Sequence, residues 1–549
     1  MNSSRTWPWW TSGAFALLVI LTCTLLPALA ITFEAGNIDW QQLFNNSYTQ
    51  RVIWFSLKQA TLSTILSLAI ALPVALALSH KPNIPGRSFI VNVFSLSLVI
   101  PTIVAIFGIV AVFGRTGWFN NLLGTLSIPS VPLYGLTGIL VAHVFFNMPL
   151  AARVLLVNLE GIPAENWRLT KQLGLKPVSV FRFIEWPAVR GQLPSLALLI
   201  FTLCFTSFAI VMTLGGGPRA TTIEVAIYQA LRFDFDIKLA VALGAVQLSI
   251  CIFLMLLSTL VKHNDALQFN PYSVVAGTER NRHDQHLLNS IWSGLFWQAA
   301  HYTIIVATAI FILSPLLALV ISAINSKLIA VVEQPSTLDA LFNTVIVALA
   351  SASLSLLLGI GLLNSVRHLR IRLNYETAGQ WLQLSGNVIL VLPPLVLGTG
   401  LFLLLRPYAD VFSIALVLVV VINSLMALPF VLRILDGPVM QSANHNDKLI
   451  QSLGIQGLSR WIIIDWPQLR KPIGLAMAVS TTLSAGDLSA IALFGSERVR
   501  TLPLLLYQRM GSYRLEEAAV TAGLLLILCL VLFISIQKII GRSVHSAHS

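Results

Sequence analysis

Residues 172–190 read QLGLKPVSVFRFIEWPAVR, and residues 452–470 read SLGIQGLSRWIIIDWPQLR. The strips stand 280 positions apart and align without a gap. Leu173, Gly174, Ser179, Ile184, Trp186, Pro187 and Arg190 meet Leu453, Gly454, Ser459, Ile464, Trp466, Pro467 and Arg470, while Glu185 meets Asp465. The same offset carries back to Pro149, Arg153 and Leu155, which meet Pro429, Arg433 and Leu435. After a one-residue slip, IYQ at 227–229 meets LYQ at 506–508, and upstream IPTIVAIFG at 100–108 resembles LPPLVLGTG at 392–400. A match of this length and spacing means that one structural unit is present twice.

The residues between the strips set the class. Of 549 residues 56% are hydrophobic and only 10% charged, and the mean hydropathy is +0.82, which leaves too little polar surface to solvate a globule of this size. A bilayer core of about 30 Å takes roughly 20 apolar residues per helix, and about twelve stretches qualify. They lie near 12–33, 56–79, 88–113, 134–157, 191–214 and 238–261, then 297–323, 341–364, 386–406, 411–434, 472–494 and 518–540. Six per copy is an even number, so both copies enter the bilayer from one side and the repeat is parallel, about an axis along the membrane normal. The predicted fold is an all-α polytopic membrane protein of about twelve transmembrane helices. It comprises a first repeat at 1–262 (core about 53–262), a polar cytoplasmic linker at 263–296 and a second repeat at 297–549 (core about 340–540), by the repeat logic above.

A formal charge of +12 raises the question of nucleic acid, but Lys and Arg form neither a basic tail nor one helix face. They fall in alternate loops, from Lys81 and Arg87 through Arg168, Lys171 and Lys176 to Lys538 and Arg542, and the positive-inside rule puts these loops and both termini in the cytoplasm. The loop 495–516 conflicts with that rule: it sets Arg498, Arg500, Arg509 and Arg514 on the outer face, partly offset by Glu497, Glu516 and Glu517. The first apolar stretch ends in PALA before Ile31, the form of a signal-peptide cleavage site. An uncleaved anchor is the expectation, because cleavage would leave unmatched halves. Cys23, Cys204, Cys251 and Cys529 each sit in a predicted span with no CxxC spacing, so neither a disulfide framework nor a metal site is indicated.

Each strip carries the punctuation of a short helix that turns back to the membrane. Pro163 suits the first turn of a helix running to about Gln172, and Ser442 is placed to cap its counterpart. Gly174 and Gly454 permit the left-handed conformation that ends a helix. Pro187 and Pro467 suit the entry to the next span. The result is a cytoplasmic helix held between two spans; a merely solvated loop gives no reason for a matched copy.

At these residues the chain resembles the permease subunits of binding-protein-dependent ABC importers. Their cytoplasmic loop reads EAA, three residues, Gly, nine residues, Ile, any residue, Leu, Pro. Gly174, Ile184 and Pro187 match, as do Gly454, Ile464 and Pro467, while Trp186 and Trp466 replace the Leu. The Glu-Ala-Ala positions instead hold Arg168-Leu169-Thr170 and Lys448-Leu449-Ile450. The resemblance implies that each loop is a coupling helix docking on an ATP-hydrolysing subunit, with Glu165 or Asp447 as stand-ins for the missing Glu. VAHVFFNMPLAARVLL, LGGGPRATTIEVAIYQAL, LSAGDLSAIALFG and RTLPLLLYQRMGSYR are similar to the fused permease of thiamine and thiamine pyrophosphate importers in particular; fused ferric-iron permeases share the architecture. It further implies a bacterial inner-membrane location, two ATP-binding subunits that hold ATP and magnesium, and a periplasmic solute-binding protein.

No GxxxxGK[ST] loop, HExxH or GxSxG occurs, so the chain is read as a conduit with no catalytic residues and no cofactor of its own. Translocation-pathway candidates are Asp487, His143 and Asn147. An acid at the bilayer centre costs roughly 2.5–3.5 kcal/mol on insertion scales and belongs on the bundle interior. Asp487 lies roughly 22 Å above the cytoplasmic entry near residue 472 at about 1.5 Å per residue. It reads either as an attractor for a cationic solute or as a packing acid beside Gly486. His143 and Asn147 share one helix face and read equally as interhelical hydrogen bonders. Pro101, Pro149, Pro393, Pro394 and Pro429 are expected to bend their spans, and Tyr228 and Tyr507 to be interfacial aromatics. The reading from another class, an ion-coupled secondary transporter, also allows parallel six-helix repeats but leaves the matched strips unexplained.

Overall fold

The computed structural model describes residues 10–36, 38–96, 100–260, 294–455, 457–496 and 499–541, and among these the chain is helical with no strand. Most of the predicted linker and Arg498 fall outside the described residues. In the first half the principal helices are α1 (Trp10–Ala35), α2 (Ser47–His80), α3 (Thr102–Phe113), α4 (Leu136–Glu160), α5 (Ala164–Gln172), α6 (Leu193–Phe205), α7 (Ile223–Arg232) and α8 (Ile237–Leu260). The second half has α9 (Leu295–Ala323), α10 (Pro335–Arg367), α11 (Pro394–Leu405), α12 (Ala415–Ser452), α13 (Trp466–Ala485), α14 (Leu502–Gly511) and α15 (Leu515–Gly541). Among the described residues ten helical segments are long and apolar enough to cross a bilayer, and up to eleven if Pro177–Arg190 and α6, which meet at 54°, form one span.

Proline decides where the helices depart from the predicted spans. The stretch 88–113 divides into Arg87–Leu96 and α3, with Pro101 at the N-cap, and 386–406 shortens to α11, preceded by Pro393 at its N-cap. Pro101, Pro393 and Pro394 therefore start helices rather than bend them, because a proline has no N–H to lose in the first turn and drives the residue before it out of the helical region. Pro149 and Pro429 lie inside α4 and α12. The stretches 191–214 and 472–494 are interrupted at residues 206–208 and 486–488 before short helices at Ala209–Leu214 and Ser489–Phe494.

Packing exchanges one helix between the halves. α1 lies on α10 and α11 of the second half, whereas α9 lies on α3 and α2 of the first. The approach is close at matched places: a Cβ on Gly400 would strike the Pro27 backbone of α1, and one on Gly108 would strike the Pro315 backbone of α9. α1 continues unbroken through PALA, with Ile31 buried. Within each half small hydroxyl residues let helices approach. Thr49, Ser56, Ser63 and Ser67 of α2, and Thr337, Thr344, Ser351 and Ser355 of α10, are all buried. Ser56 Oγ accepts the Ile223 N–H at 2.9 Å, and Thr344 Oγ1 accepts the Leu502 N–H at 2.9 Å. Each bond satisfies a first-turn N–H that a helix leaves without an internal partner, tying α7 to α2 and α14 to α10.

Two arginines of the basic loop 495–516 share one acid, Glu517. Arg509 is buried, donates to Gln334 at 2.5 Å and to Thr337 at 2.9 Å, also reaches Thr521, and faces Glu517 at 3.7 Å. Arg514 also faces Glu517, at 3.8 Å.

Candidate functional site

The two strips fold into closely similar loops. α5 ends ahead of Gly174 (φ +58°), and α12 ahead of Gly454 (φ +64°). Leu175 N–H then donates to the Thr170 carbonyl at 3.0 Å, and Ile455 N–H to the Ile450 carbonyl at 3.1 Å. This six-to-one closure satisfies a carbonyl that the helix end leaves open. Nothing lies within 4 Å of where a Cβ would stand on either glycine, so backbone conformation, not space, calls for glycine.

Both chains return through a π-helical turn, Phe181–Glu185 and Trp461–Asp465, and start the next helix at Trp186 and Trp466 with Pro187 and Pro467 in its first turn. Phe181 and Trp186 have ring centroids 6.1 Å apart at 46°; Trp461 and Trp466 are 6.4 Å apart at 49°. Ile184 and Ile464 are half-buried, and Trp186, Pro187, Trp466 and Pro467 are exposed. Around them stand exposed apolar side chains, Leu169, Leu173, Val178 and Phe183 in the first loop, and Leu453, Ile462 and Ile463 in the second. A cleft of about 180 Å³ opens in the second loop between Asn446, Ile450, Leu453, Ile463, Ile464 and Pro467.

Two expectations change here. Ser442 caps nothing: α12 runs through it to Ser452, and its hydroxyl donates to Gln468 Oε1 at 2.6 Å. The first copy breaks between α4 and α5 because it holds Gly161-Ile162-Pro163, with Pro163 at the N-cap of α5, where the second holds Gln441-Ser442-Ala443, with nothing to stop a helix. Asp447 is not presented to a partner subunit. It is buried, 2.9 Å from Arg372 Nε and 2.7 Å from Arg460 Nη1. Glu165, Arg168 and Leu169 are exposed on α5; Lys448 and Leu449 are on α12, and their side chains fall outside the described set.

Beneath the common outline the interiors differ, and the strip alignment does not show it. In the first loop Trp167 and Val180 are buried apolar residues, and Glu185 Oε1 lies 2.5 Å from His80 Nε2. The positions 280 residues later hold Asp447, Arg460 and Asp465, all buried. Asp465 accepts from Arg367 at 3.1 Å and from Arg460 at 3.3 Å, so Arg372, Asp447, Arg460, Asp465 and Arg367 form a continuous ladder of alternating charge. His80 and Arg367 stand at the C-terminal ends of α2 and α10. The local signal that was available is charge alternation at Asp447, Arg460 and Asp465, but no spacing rule joins them to Arg367 or Arg372.

Among the pathway candidates, His143 is buried and shares a 2.8 Å hydrogen bond between Nδ1 and Ser63 Oγ, while Asn147 Nδ2 donates to Cys204 Sγ at 3.3 Å. They join α4 to α2 and α6. Asn423, 280 residues after His143, similarly donates to Ser484 Oγ at 3.1 Å. Asp487 is partly exposed at the 486–488 interruption, and its Oδ2 accepts the Ala490 N–H at 3.0 Å, capping the short helix beyond. Gly486 beside it is pressed on Pro101, where a Cβ would come within 2.7 Å.

Tyr228 is a core residue rather than an interfacial one: it is buried, with Phe208 and Phe233 at ring distances of 5.4 and 5.6 Å. Burial, and then the Tyr228 hydroxyl, push the Tyr507 hydroxyl up to about 12. Arg232 crosses between the halves by donating to the Gly495 carbonyl at 2.7 Å. Span-based reading passed over Glu224, which lies outside the predicted spans. It is buried in α7, accepts from Gln247 at 2.7 Å, and burial pushes its carboxyl up to about 8.

No family model matches the chain. It is 41% identical over 537 residues to the thiamine transport system permease protein ThiP of Escherichia coli, covering 98% of this chain and 97% of that one. It is 39% identical over 526 residues to the protein of that name in Brucella abortus (95% and 93% covered). The corresponding Haemophilus influenzae protein is 40% identical over 505 residues (91% and 90% covered). A shorter match, 26% over 218 residues and 39% of this chain, is to the sulfate transport system permease protein CysW of a Synechocystis strain.

Proposed function

The chain belongs to the family of thiamine transport system permease proteins, multi-pass proteins of the inner membrane, and from that premise we propose that it carries thiamine or thiamine pyrophosphate inward from the periplasm. The observation that carries this reading is the near-end-to-end similarity to thiamine permeases at about 40% identity, in a chain that also presents two matched loops. In this proposal twelve spans form two parallel six-helix repeats with both termini in the cytoplasm, so both loops face the same side. Two ATP-binding subunits, which hold ATP and magnesium, each engage one loop, and a periplasmic solute-binding protein delivers the solute. The chain hydrolyses nothing itself.

The loop geometry supports this division of labour. A large exposed apolar patch on a membrane protein's polar side marks an interaction surface, and Leu169, Leu173, Val178 and Phe183, with Leu453, Ile462 and Ile463 opposite, supply one per loop. The glycine closure and π-turn fix each coupling helix against the base of a span. Motion imposed on the patch is therefore passed to α6 and α13, both of which are interrupted farther up. Alternating access would follow from rocking of the halves at those interruptions. Asp487, partly exposed at one of them, is the residue proposed to meet the solute's cationic ring; His143 and Asn147 are proposed to act indirectly, by holding α4 to its neighbours.

The test is uptake of labelled thiamine into proteoliposomes containing the chain and its ATPase, with receptor and ATP each present or omitted, and thiamine pyrophosphate and ferric ion as competitors. Uptake requiring ATP and receptor and blocked by thiamine compounds alone is expected. Competition by ferric ion would reassign the solute, and uptake driven by an ion gradient without ATP would overturn the class.

A further inference from the structure

The first loop is hydrogen-bonded to the opposite half of the molecule. Glu185 of that loop binds His80 Nε2 at 2.5 Å, and His80 Nδ1 lies 3.2 Å from His301 Nε2. His301 sits on α9, the helix that the second half lays across the first. All three side chains are buried, at 1%, 1% and 5% exposure. The chain of contacts therefore runs from the π-turn, through the end of α2, into the opposite half without passing through solvent.

The second loop is built otherwise. Its acid, Asp465, is held by Arg367 and Arg460, residues of its own half. The helix crossing onto that half is α1. Pro27 and Pro315 are matched seats of the two crossing helices, and counting back the same number of residues from each brings His301 into line with Gly13. Gly13 has no side chain with which to reach a partner. It lies flat on α10 instead, where an added Cβ would strike Ser365.

We infer that His301 is a positioning residue of the coupling machinery: through His80 and Glu185 it makes the first loop move α9 of the opposite half together with its own half, whereas the acid of the second loop is held by arginines of its own half. A buried, hydrogen-bonded polar chain is stiff, and removing one member strands its neighbour without water to replace it. The inference rests on the proposed ATP-driven import, and coupling is read in two ways to keep the two separable: thiamine taken up per ATP hydrolysed, and the ratio of receptor-stimulated to basal ATP hydrolysis, which needs no assumption about the solute.

The experiment uses the full complex in proteoliposomes. His301→Phe keeps a ring against His80 and Trp297 but removes the bond, while His301→Gln keeps a neutral donor and acceptor. Both coupling readouts are expected to fall on the order of threefold to tenfold in the Phe variant, about 1 kcal/mol as a ratio, and to return to within twofold in the Gln variant. His301→Leu against Gln asks the same question should the Phe variant not assemble. Equal coupling in the bonded and unbonded variants, whether both normal or both impaired, would overturn the inference. A wild-type complex with receptor-stimulated hydrolysis but no thiamine uptake would instead count against the solute, and the variants would still be judged from hydrolysis alone.

Discussion

The two matched loops have one outline and two interiors. Trp167, Val180 and Glu185 fill the first, Asp447, Arg460 and Asp465 the second, at the same three positions, yet glycine closure, π-turn and aromatic pair agree to within a few tenths of an ångström and a few degrees. The shape of such a loop is therefore set by its backbone devices, and its interior has only to be filled and electrically balanced. Trp167 and Val180 with a single Glu185–His80 contact do this in one loop, and a charge ladder does it in the other. The two solutions are exchangeable only as whole sets, because a buried ion pair gains little over packed apolar groups while half of one is costly.

The largest effect should come from mixing the sets. Trp167→Asp puts a carboxylate into the apolar loop without its arginines and removes a large packed side chain, at a cost of about 5 kcal/mol or more. The expected outcome is loss of folded protein in detergent, read by size-exclusion chromatography and thermal unfolding. Adding Val180→Arg restores the Asp447–Arg460 pairing in the first loop and should recover part of the loss. If the double variant is no better than the single one, the interiors are not modular.

Next comes Asp465→Asn, which leaves Arg367 and Arg460 facing each other with one anion fewer. Breaking a buried pair from one side costs roughly 3–5 kcal/mol, and neither guanidinium can shed its proton. The matched change, Glu185→Gln, should cost only about 1–2 kcal/mol, the loss of a charged hydrogen bond. A Gln side chain still offers its partner His80 a bond, whereas Asp465→Asn leaves two guanidiniums side by side. Chemical unfolding of the two variants under identical conditions measures the difference. Equal losses would mean that the identity of the cation is irrelevant.

What was legible in the sequence divides along the same line. Backbone devices are local, so Gly174 and Gly454, Pro187 and Pro467, and most of the apolar spans were readable from residue type and spacing. So was the bearing of one strip on the other, since both carry the same punctuation. The interiors were not, because their partners come from far away: His80 lies 105 residues before Glu185, and Arg367 lies 98 before Asp465. Ser442 misled because a good capping residue does not end a helix unless something beside it stops the helix, and the second copy lacks the Gly161–Pro163 break. Tyr228 was misjudged for a related reason: an aromatic near a predicted span end looks interfacial until a second helix covers it.

The smallest effect is expected where the loops agree. Gly174→Ala and Gly454→Ala each place a Cβ in open space, so the whole cost is that of holding a side-chain-bearing residue at positive φ, about 1 kcal/mol. It should be the same in both loops within error, whatever lies beneath them. Valine at either position adds β-branching to the strain and, if the loops couple as proposed, is expected to lower uptake per ATP, because the end of α5 or α12 is displaced. Thermal unfolding and coupled uptake of the four single variants test both statements. Equal stability losses with unequal coupling losses would locate the difference between the halves in transmission rather than folding, which is where the His301 bridge places it. Unequal stability losses at the two alanines would show instead that the interior reaches the glycine turn, and that the outline is not independent of what fills it.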